Sequence, residues 1–363
     1  MKFSTDKKVL LDALNKTIKA TASRPSVPYL SGILISVSES SVTIFASDLE
    51  TSIKTKFDCS VENSGEVAVA GKILVNIINA IPDGIVHIFE EGEFLKINSS
   101  QSEFKIRKIG TEDFSSFQEI ENDQEIIIPG KTLVKMIKKV NKSVSRDESR
   151  IVLTGILLTV EEGIITMVST DSFRLALVKE SLEENNSLFE ILIPGKIFNE
   201  ISRMIGVSSD VRIQSSSNQV LFEFDNTKII TRKLEGKFPN YKQLIPTSYN
   251  TKIIMDHNEL IDSVKRVSLL ALNNAAVIID ISADNQSISL NSKTQELGEA
   301  KEDILVKIEG ENNSIAINYA YFIDGLNSID SDTVYLEVQD PLRPGIIRAP
   351  GEDFIYLVMP VRA

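Results

Sequence analysis

Two periods of apolar and polar positions alternate along this chain. Stretches of period two predict strands and hairpins, among them GILISVSESSVTIFASD, GIVHIFEEGEFLKINSS, GILLTVEEGIITMVSTD and SNQVLFEFDNTKIITRKL. Between them lie apolar positions at helical spacing. Three segments read alike: EVAVAGKILVNIINAI (66–81), EIIIPGKTLVKMIKKV (125–140) and EILIPGKIFNEISRMI (190–205). Each is a short alternating run, a Gly-Lys pair and an amphipathic helix. Looser copies are MKFSTDKKVLLDAL (1–14), KIIMDHNELIDSV (252–264) and SIAINYAYFIDGL (314–326). Helix starts are therefore predicted near 5, 71, 130, 195, 256 and 318, and this nearly even spacing marks six internal repeats. Each repeat reads as strand, helix, then about three strands.

The helix starts carry suitable caps. Asp256 with Glu259 resembles a capping box, Asn318 and Thr5 are good N-caps, and Gly130 and Gly195 are acceptable ones. Pro82 stops the helix that begins near 71. A longer period pairs the repeats: KIGTEDFSSFQEIEND (108–123) resembles KLEGKFPNYKQLIPTS (233–248), with Phe114 matching Phe238, and RAPGEDFIYLVMP (348–360) is a partial third copy. These polar, turn-rich stretches are the natural linkers. They predict an α+β protein of three similar domains, 1–123, 124–248 and 249–363, each with two helices packed on roughly eight antiparallel strands.

Composition narrows the chemistry. The 363 residues hold one cysteine, Cys59, two histidines, His87 and His257, and no tryptophan, so an intrachain disulfide and a four-ligand His/Cys zinc site are both excluded. The lone cysteine fits a reducing cytosol, and the cytoplasm is the expected location. No run of 18 apolar residues exists to form a spanning helix, and MKFSTDKKVLLDALNK lacks the apolar stretch of a secretory signal. No membrane partner and no cofactor are expected.

Charge changes the picture most. The net charge is −12, yet the six helical windows together carry +9, leaving −21 on the rest of the chain. On the helix from 130, Lys131, Lys135, Lys138 and Lys142 share one face opposite Leu133, Ile137, Val140 and Val144. The first helix repeats this more weakly, with Lys8, Asn15 and Lys19 interrupted by Asp12. Basic stripes on an acidic chain are the electrostatic footprint of phosphate-backbone binding. The third domain lacks the stripe. Six helices at ~10 Å spacing line about half the rim of a hole that passes a duplex, so a closed ring needs two chains joined head to tail.

With these features the sequence resembles the bacterial sliding clamps, the beta subunits of DNA polymerase III, along its whole length. The matching segments are MKF, SRPSVPYLSGILI (23–35), ASDLE (46–50), STDSFRLA (169–176), LEGKFPNY (234–241) and YLVMPVR (356–362), in the family's order. The resemblance implies a DNA-clamp fold and a homodimeric, head-to-tail ring that encircles double-stranded DNA without sequence specificity. It implies a non-catalytic processivity factor that tethers the replicative polymerase, is opened by a clamp loader, and binds repair polymerases through short linear motifs.

The resemblance also assigns residues. It carries DNA contacts to Arg24, Arg146, Arg150 and Lys196, beside the stripe lysines. It carries a partner-peptide groove between domains 2 and 3 to Leu153, Thr170, Phe173, Arg174, Leu175, Pro239, Gln243, Leu244, Asn318, Tyr321, Leu342, Pro344, Leu357, Val358, Met359, Pro360, Val361 and Arg362. Phe173 stands where the family often has His, Gln243 where it often has Arg, and Ala363 where it often ends on a bulkier residue. These departures bear on motif preference. The dimer contact falls on Phe104 and Ile106 facing Leu269 and Leu270, with Lys72 opposite Glu299 and Glu302.

The residues bear on two rival classes. PGKT (129–132) mimics the end of a phosphate-binding loop, but Glu125 stands where the loop needs Gly. Asp48 and Asp171 occupy matching turns of different repeats and read as turn-stabilising residues rather than a catalytic pair. The other rival is an interaction scaffold that never encircles DNA, which the net negative charge favours slightly.

Overall fold

The structure, a computed structural model, describes residues 1–22, 24–112, 114, 120, 124–182, 188–206, 209–271, 276–294 and 297–362. Much of the first linker (113, 115–119, 121–123) and Ala363 lie outside the described residues. Six α-helices are present among the described residues: α1 (Lys7–Thr17), α2 (Gly71–Ala80), α3 (Gly130–Val140), α4 (Gly195–Met204), α5 (His257–Ser268) and α6 (Tyr319–Leu326). All six follow a strand directly, as the repeats predict, and every strand pairing described is antiparallel.

The helix starts correct two expectations. Thr5 is buried in the strand Lys2–Asp6, and Asp6 is the cap of α1, accepting from the Lys8 N–H at 2.8 Å. Asp256 and Asn318 do cap α5 and α6. Gly71, Gly130 and Gly195 are not caps but first residues of their helices. What demands glycine there is packing. A Cβ on Gly130 would run into the Ser209 carbonyl oxygen, and one on Gly195 would lie 2.8 Å from the Val144 side chain. The Gly130 N–H donates to Ser209 O at 2.8 Å, so the PGKT amide is spent inside the fold.

The chain packs as two compact units, Met1–Leu133 with Arg203–Lys233, and Val134–Ser202 with Leu234–Ala363. The central repeat pair is thus divided between them. In the first unit a 13-stranded sheet runs through both contributions, because strand Thr227–Arg232 pairs with strand Thr51–Asp58 (Thr231↔Thr51, Ile229↔Ile53). In the second, strand Phe354–Val358 pairs with strand Arg174–Ser181 (Val358↔Arg174, Phe354↔Val178) inside a nine-stranded sheet. Thr51 and Arg174 are the equivalent first residues of their strands. A four-stranded sheet completes the second unit, with Gly298–Leu305 on its edge.

The helices pack through their apolar faces. Leu10 and Leu14 of α1, Leu74 and Ile78 of α2, Leu133, Met136, Ile137 and Val140 of α3 and Phe198 and Ile201 of α4 are all fully buried. That fixes which helix face is left to solvent.

Candidate nucleic-acid interface and partner groove

The apolar stripe of α3 faces inward, so Lys131, Lys135 and Lys138 are exposed, as is Lys142 in the 3-10 turn Asn141–Ser143 that follows. They are not equivalent. Lys135 Nζ lies 2.7 Å from Glu180 Oε1, which holds its ammonium above the ordinary lysine range. Lys142 Nζ lies 3.7 Å from Asp324. Lys131 and Lys138 make no ion pair among the described residues. On α1, Lys8 is exposed with Asp83 at 3.7 Å and Asp12 is engaged by Lys16 at 2.7 Å; Lys19, in the 3-10 turn Ile18–Ala20 that follows, is exposed. Arg24, Arg146 and Lys196 are exposed as well. Arg150 is tied down: its Nε meets Asp147 Oδ2 at 2.9 Å and its Nη1 donates to Ser172 Oγ at 3.0 Å. Hydrogen bonds from Ser149 and from Arg150 lower the Asp147 pKa.

A second cluster is built in the second unit around one turn. Asp171 Oδ1 accepts from the N–H groups of Phe173 and Arg174 at 2.9 and 3.0 Å, and Thr170 Oγ1 donates to Arg174 O at 2.7 Å. Ser172 adopts φ +79°, and the turn lifts Phe173 to 54% exposure. In the first unit Asp48 makes the same turn, accepting from Glu50 and Thr51 N–H with Leu49 at φ +76°. Both aspartates are therefore structural, as the sequence reads.

Arg174 joins three elements. Its Nε lies 3.0 Å from Asp171, its Nη1 2.6 Å from Asp324 of α6, and Nη1 also donates to Tyr356 Oη at 3.4 Å. Its guanidinium carbon sits 4.4 Å from the Tyr321 ring centroid, and Phe173 stacks against the same ring at 6.4 Å. The Arg174 pKa is raised by Tyr356, Asp324 and Asp171 against the opposing effect of burial. Burial pushes the Tyr356 phenol up to about 12, although Arg174 opposes it.

Below this turn lies an apolar floor of Leu157, Val168, Leu175, Leu177, Phe238 and Leu357, with Val152, Tyr241 and Ile245 half-buried against it. The expected groove residues divide accordingly. Phe173, Pro239, Gln243, Leu244, Leu342 and Met359 are exposed, Leu342 at 85%. Arg174, Asn318, Tyr321, Pro344, Pro360 and Val361 are half-buried, and Arg362 is exposed. Leu153, Thr170, Leu175, Leu357 and Val358 are buried, Leu175 and Leu357 as part of the floor itself. Asn318 spends its side-chain oxygen capping α6. The C-terminal segment is pinned by Met359 N–H to Phe173 O and Val361 N–H to Ala316 O, both at 2.8 Å.

Tyr241, Ile245, Asp324 and Tyr356 belong to this cluster although the sequence reading does not single them out, and Val152 belongs to it although the resemblance places that position near the DNA. Tyr241 and Tyr356 sit at the ends of recognised motifs and are within its reach. Asp324 pairs with Arg174 across 150 positions of sequence, and no local pattern announces that pair.

Of the expected dimer residues, Phe104 and Ile106 lie on strand Ser102–Ile109 and Glu299 and Glu302 on strand Gly298–Leu305, whereas Lys72 is on α2 and Leu269 and Leu270 directly follow α5. Strand Ser102–Ile109 pairs along its length with Phe94–Ser99, but with Gly65–Ala70 only at Ile109 and Lys108. Strand Gly298–Leu305 has one partner among the described residues, Ser287–Thr294. Leu269, Lys72 and Glu299 are exposed, and Phe104 and Leu270 are half-buried. Ile106 is buried, and Glu302 pairs with Arg266 at 2.6 Å.

Comparison with known proteins agrees with this geometry along the whole chain. Residues 1–118, 127–240 and 242–362 match the family models of the N-terminal, central and C-terminal domains of the DNA polymerase III beta subunit. The beta sliding clamps of Staphylococcus epidermidis and Staphylococcus aureus are each 31% identical, covering 100% of this chain and 99% of theirs. The Streptococcus pneumoniae DNA polymerase III beta chain superimposes with a TM-score of 0.94 at 30% identity, covering 100% of both chains. The Bacillus subtilis sliding clamp gives 0.95 at 29%, covering 100% of this chain and 99% of that one. This chain belongs to the bacterial beta sliding clamp family, the beta subunits of DNA polymerase III.

Proposed function

We propose that two copies of this chain close head to tail around duplex DNA as a processivity clamp, with the helices turned inward. The three repeat pairs, 1–123, 124–248 and 249–363, each give two helices to the rim. The observation that carries this reading is the exposed lysine face of α3, reinforced by α1, on a chain of net charge −12. Lys131, Lys135, Lys138, Lys142, Lys8, Lys19, Arg24, Arg146, Arg150 and Lys196 face the phosphates. Such contacts attract the backbone and carry no base readout, which sliding requires. The open edges at 102–107 and 298–305 join between chains, with Phe104, Leu269 and Leu270 packing at the joint.

The clamp acts in the cytoplasm and catalyses nothing itself. Among the described residues no helix is long and apolar enough to cross a membrane. The replicative polymerase, the clamp loader and repair polymerases dock by short apolar motifs. Their anchors enter beside Phe173, Leu244, Leu342 and Met359, over the buried floor, while Arg174 and Tyr321 fix orientation. The thioether of Met359 suits varied ligands.

Topology supplies the test. Loaded on a closed circular duplex, the protein stays bound as salt is raised and leaves when the circle is cut. Equal loss from circular and linear DNA on raising salt identifies a plain electrostatic binder, and no retention on either identifies a scaffold.

A further inference from the structure

We infer that Lys139 is a positioning residue for the partner groove, acting through the far ends of the two elements that carry Tyr321 and Met359. The inference rests on the groove reading above.

Lys139 is the tenth residue of α3, one step beyond Lys138 and off the exposed stripe. Its side chain is 4% exposed. The ammonium donates to Glu352 Oε2 at 2.5 Å and Ser328 O at 3.0 Å, approaches Asp330 Oδ2 at 3.3 Å, and lies 4.9 Å from the Phe354 ring centroid. Glu352 uses its other oxygen to accept from the Asp330 N–H at 3.0 Å. One cation thereby grips two segments at once: the residues just after α6 and those just before strand Phe354–Val358.

The opposite ends of these two elements are the groove. Tyr321 sits in the first turn of α6, and Met359 directly follows the strand. Little slack separates them. The Tyr356 hydroxyl donates to Tyr321 O at 2.8 Å, and a Cβ on Gly325 would come within 2.5 Å of the Tyr356 ring. Arg174 fastens the same helix to the Asp171 turn through Asp324. A shift at the Lys139 end therefore carries to the Tyr321–Phe173 stack.

The repeats argue that this is a dedicated device. The tenth residue of α1 is Lys16 and that of α5 is Arg266, so the position is basic three times. Lys16 pairs within its own helix with Asp12, and Arg266 pairs with Glu302 of the adjoining strand. In the central repeat the cation is instead sent to Ser328 and Glu352, far along the chain, in the segments that hold the groove. Removing one partner of a buried pair strands the other charge, so the joint has one preferred geometry rather than a range.

The test uses the full-length clamp and the purified, immobilised replicative polymerase subunit. Lys139→Met lowers affinity on the order of tenfold, chiefly through faster dissociation, while retention on closed circular DNA is unchanged. Lys139→Arg keeps most of the affinity. The double variant Lys139→Met/Glu352→Met removes the stranded carboxylate; it unfolds near the wild-type temperature yet stays weak. Wild-type affinity in Lys139→Met, or recovery of affinity in the double variant, overturns the proposal. Failure of the unaltered clamp to bind the polymerase overturns the groove reading instead.

Discussion

Arg174 and Tyr321 lie face to face, the guanidinium carbon 4.4 Å from the ring centroid, while Asp171 and Asp324 hold the two ends of the guanidinium fork. Lysine keeps the charge but loses both the planar stack and the rigid fork that reaches two carboxylates at once. Arg174→Lys is expected to destabilise the protein by ~1–3 kcal/mol and to weaken polymerase binding. Thermal unfolding alongside a binding titration checks it; an unchanged melting temperature would show that the fork is dispensable.

The stripe lysines separate by their partners. Replacing Lys131 and Lys138 with Ala should lower the slope of log affinity against log salt by about two, since each phosphate contact contributes ~0.9. Lys135→Ala should cost less, because Glu180 already offsets its charge. Equal losses at the three positions would contradict that ranking.

Gly130→Ala drives a methyl into the Ser209 carbonyl oxygen, and backbone cannot rotate out of the way. A loss of about 1–3 kcal/mol is expected, read by urea denaturation. If the glycine mattered only for starting a helix, alanine would stabilise.

The Glu302 carboxyl is held below the ordinary glutamate value by hydrogen bonds from Arg266 and then Ser263. A lowered folded pKa means stability that is present above the unfolded pKa and is lost as pH falls through the folded one. Acidification below the usual glutamate range should therefore loosen the α5 contact, and Glu302→Gln should flatten that part of the stability–pH curve. A carboxyl titration by NMR giving an ordinary or raised value would refute it.

Periodic segments are legible in the sequence because their cause is local. The spacing of Leu133, Ile137 and Val140 fixes which side of α3 is buried, and Lys131, Lys135 and Lys138 on the opposite side face water, whereas the burial of Lys139 is not legible in that pattern. The paired Asp48 and Asp171 turns are legible for the same reason. The need for glycine at the Gly-Lys starts is not, since the crowding at Gly130 comes from Ser209, remote in the chain. Lining and floor at the groove cannot be told apart either. Leu175 and Leu342 are equally apolar letters, and only the strand beside Leu175 decides that one is covered and the other bare.

The ladders joining Thr51 to Thr231 and Arg174 to Val358 are stitched by amides and carbonyls. Main-chain stitching is indifferent to which side chains flank it, so a tandem gene can let its three copies drift until they barely look related while the seams hold. The same thrift makes the middle copy a poor stand-alone fragment: cut free, it would present two raw borders, each inviting a stranger.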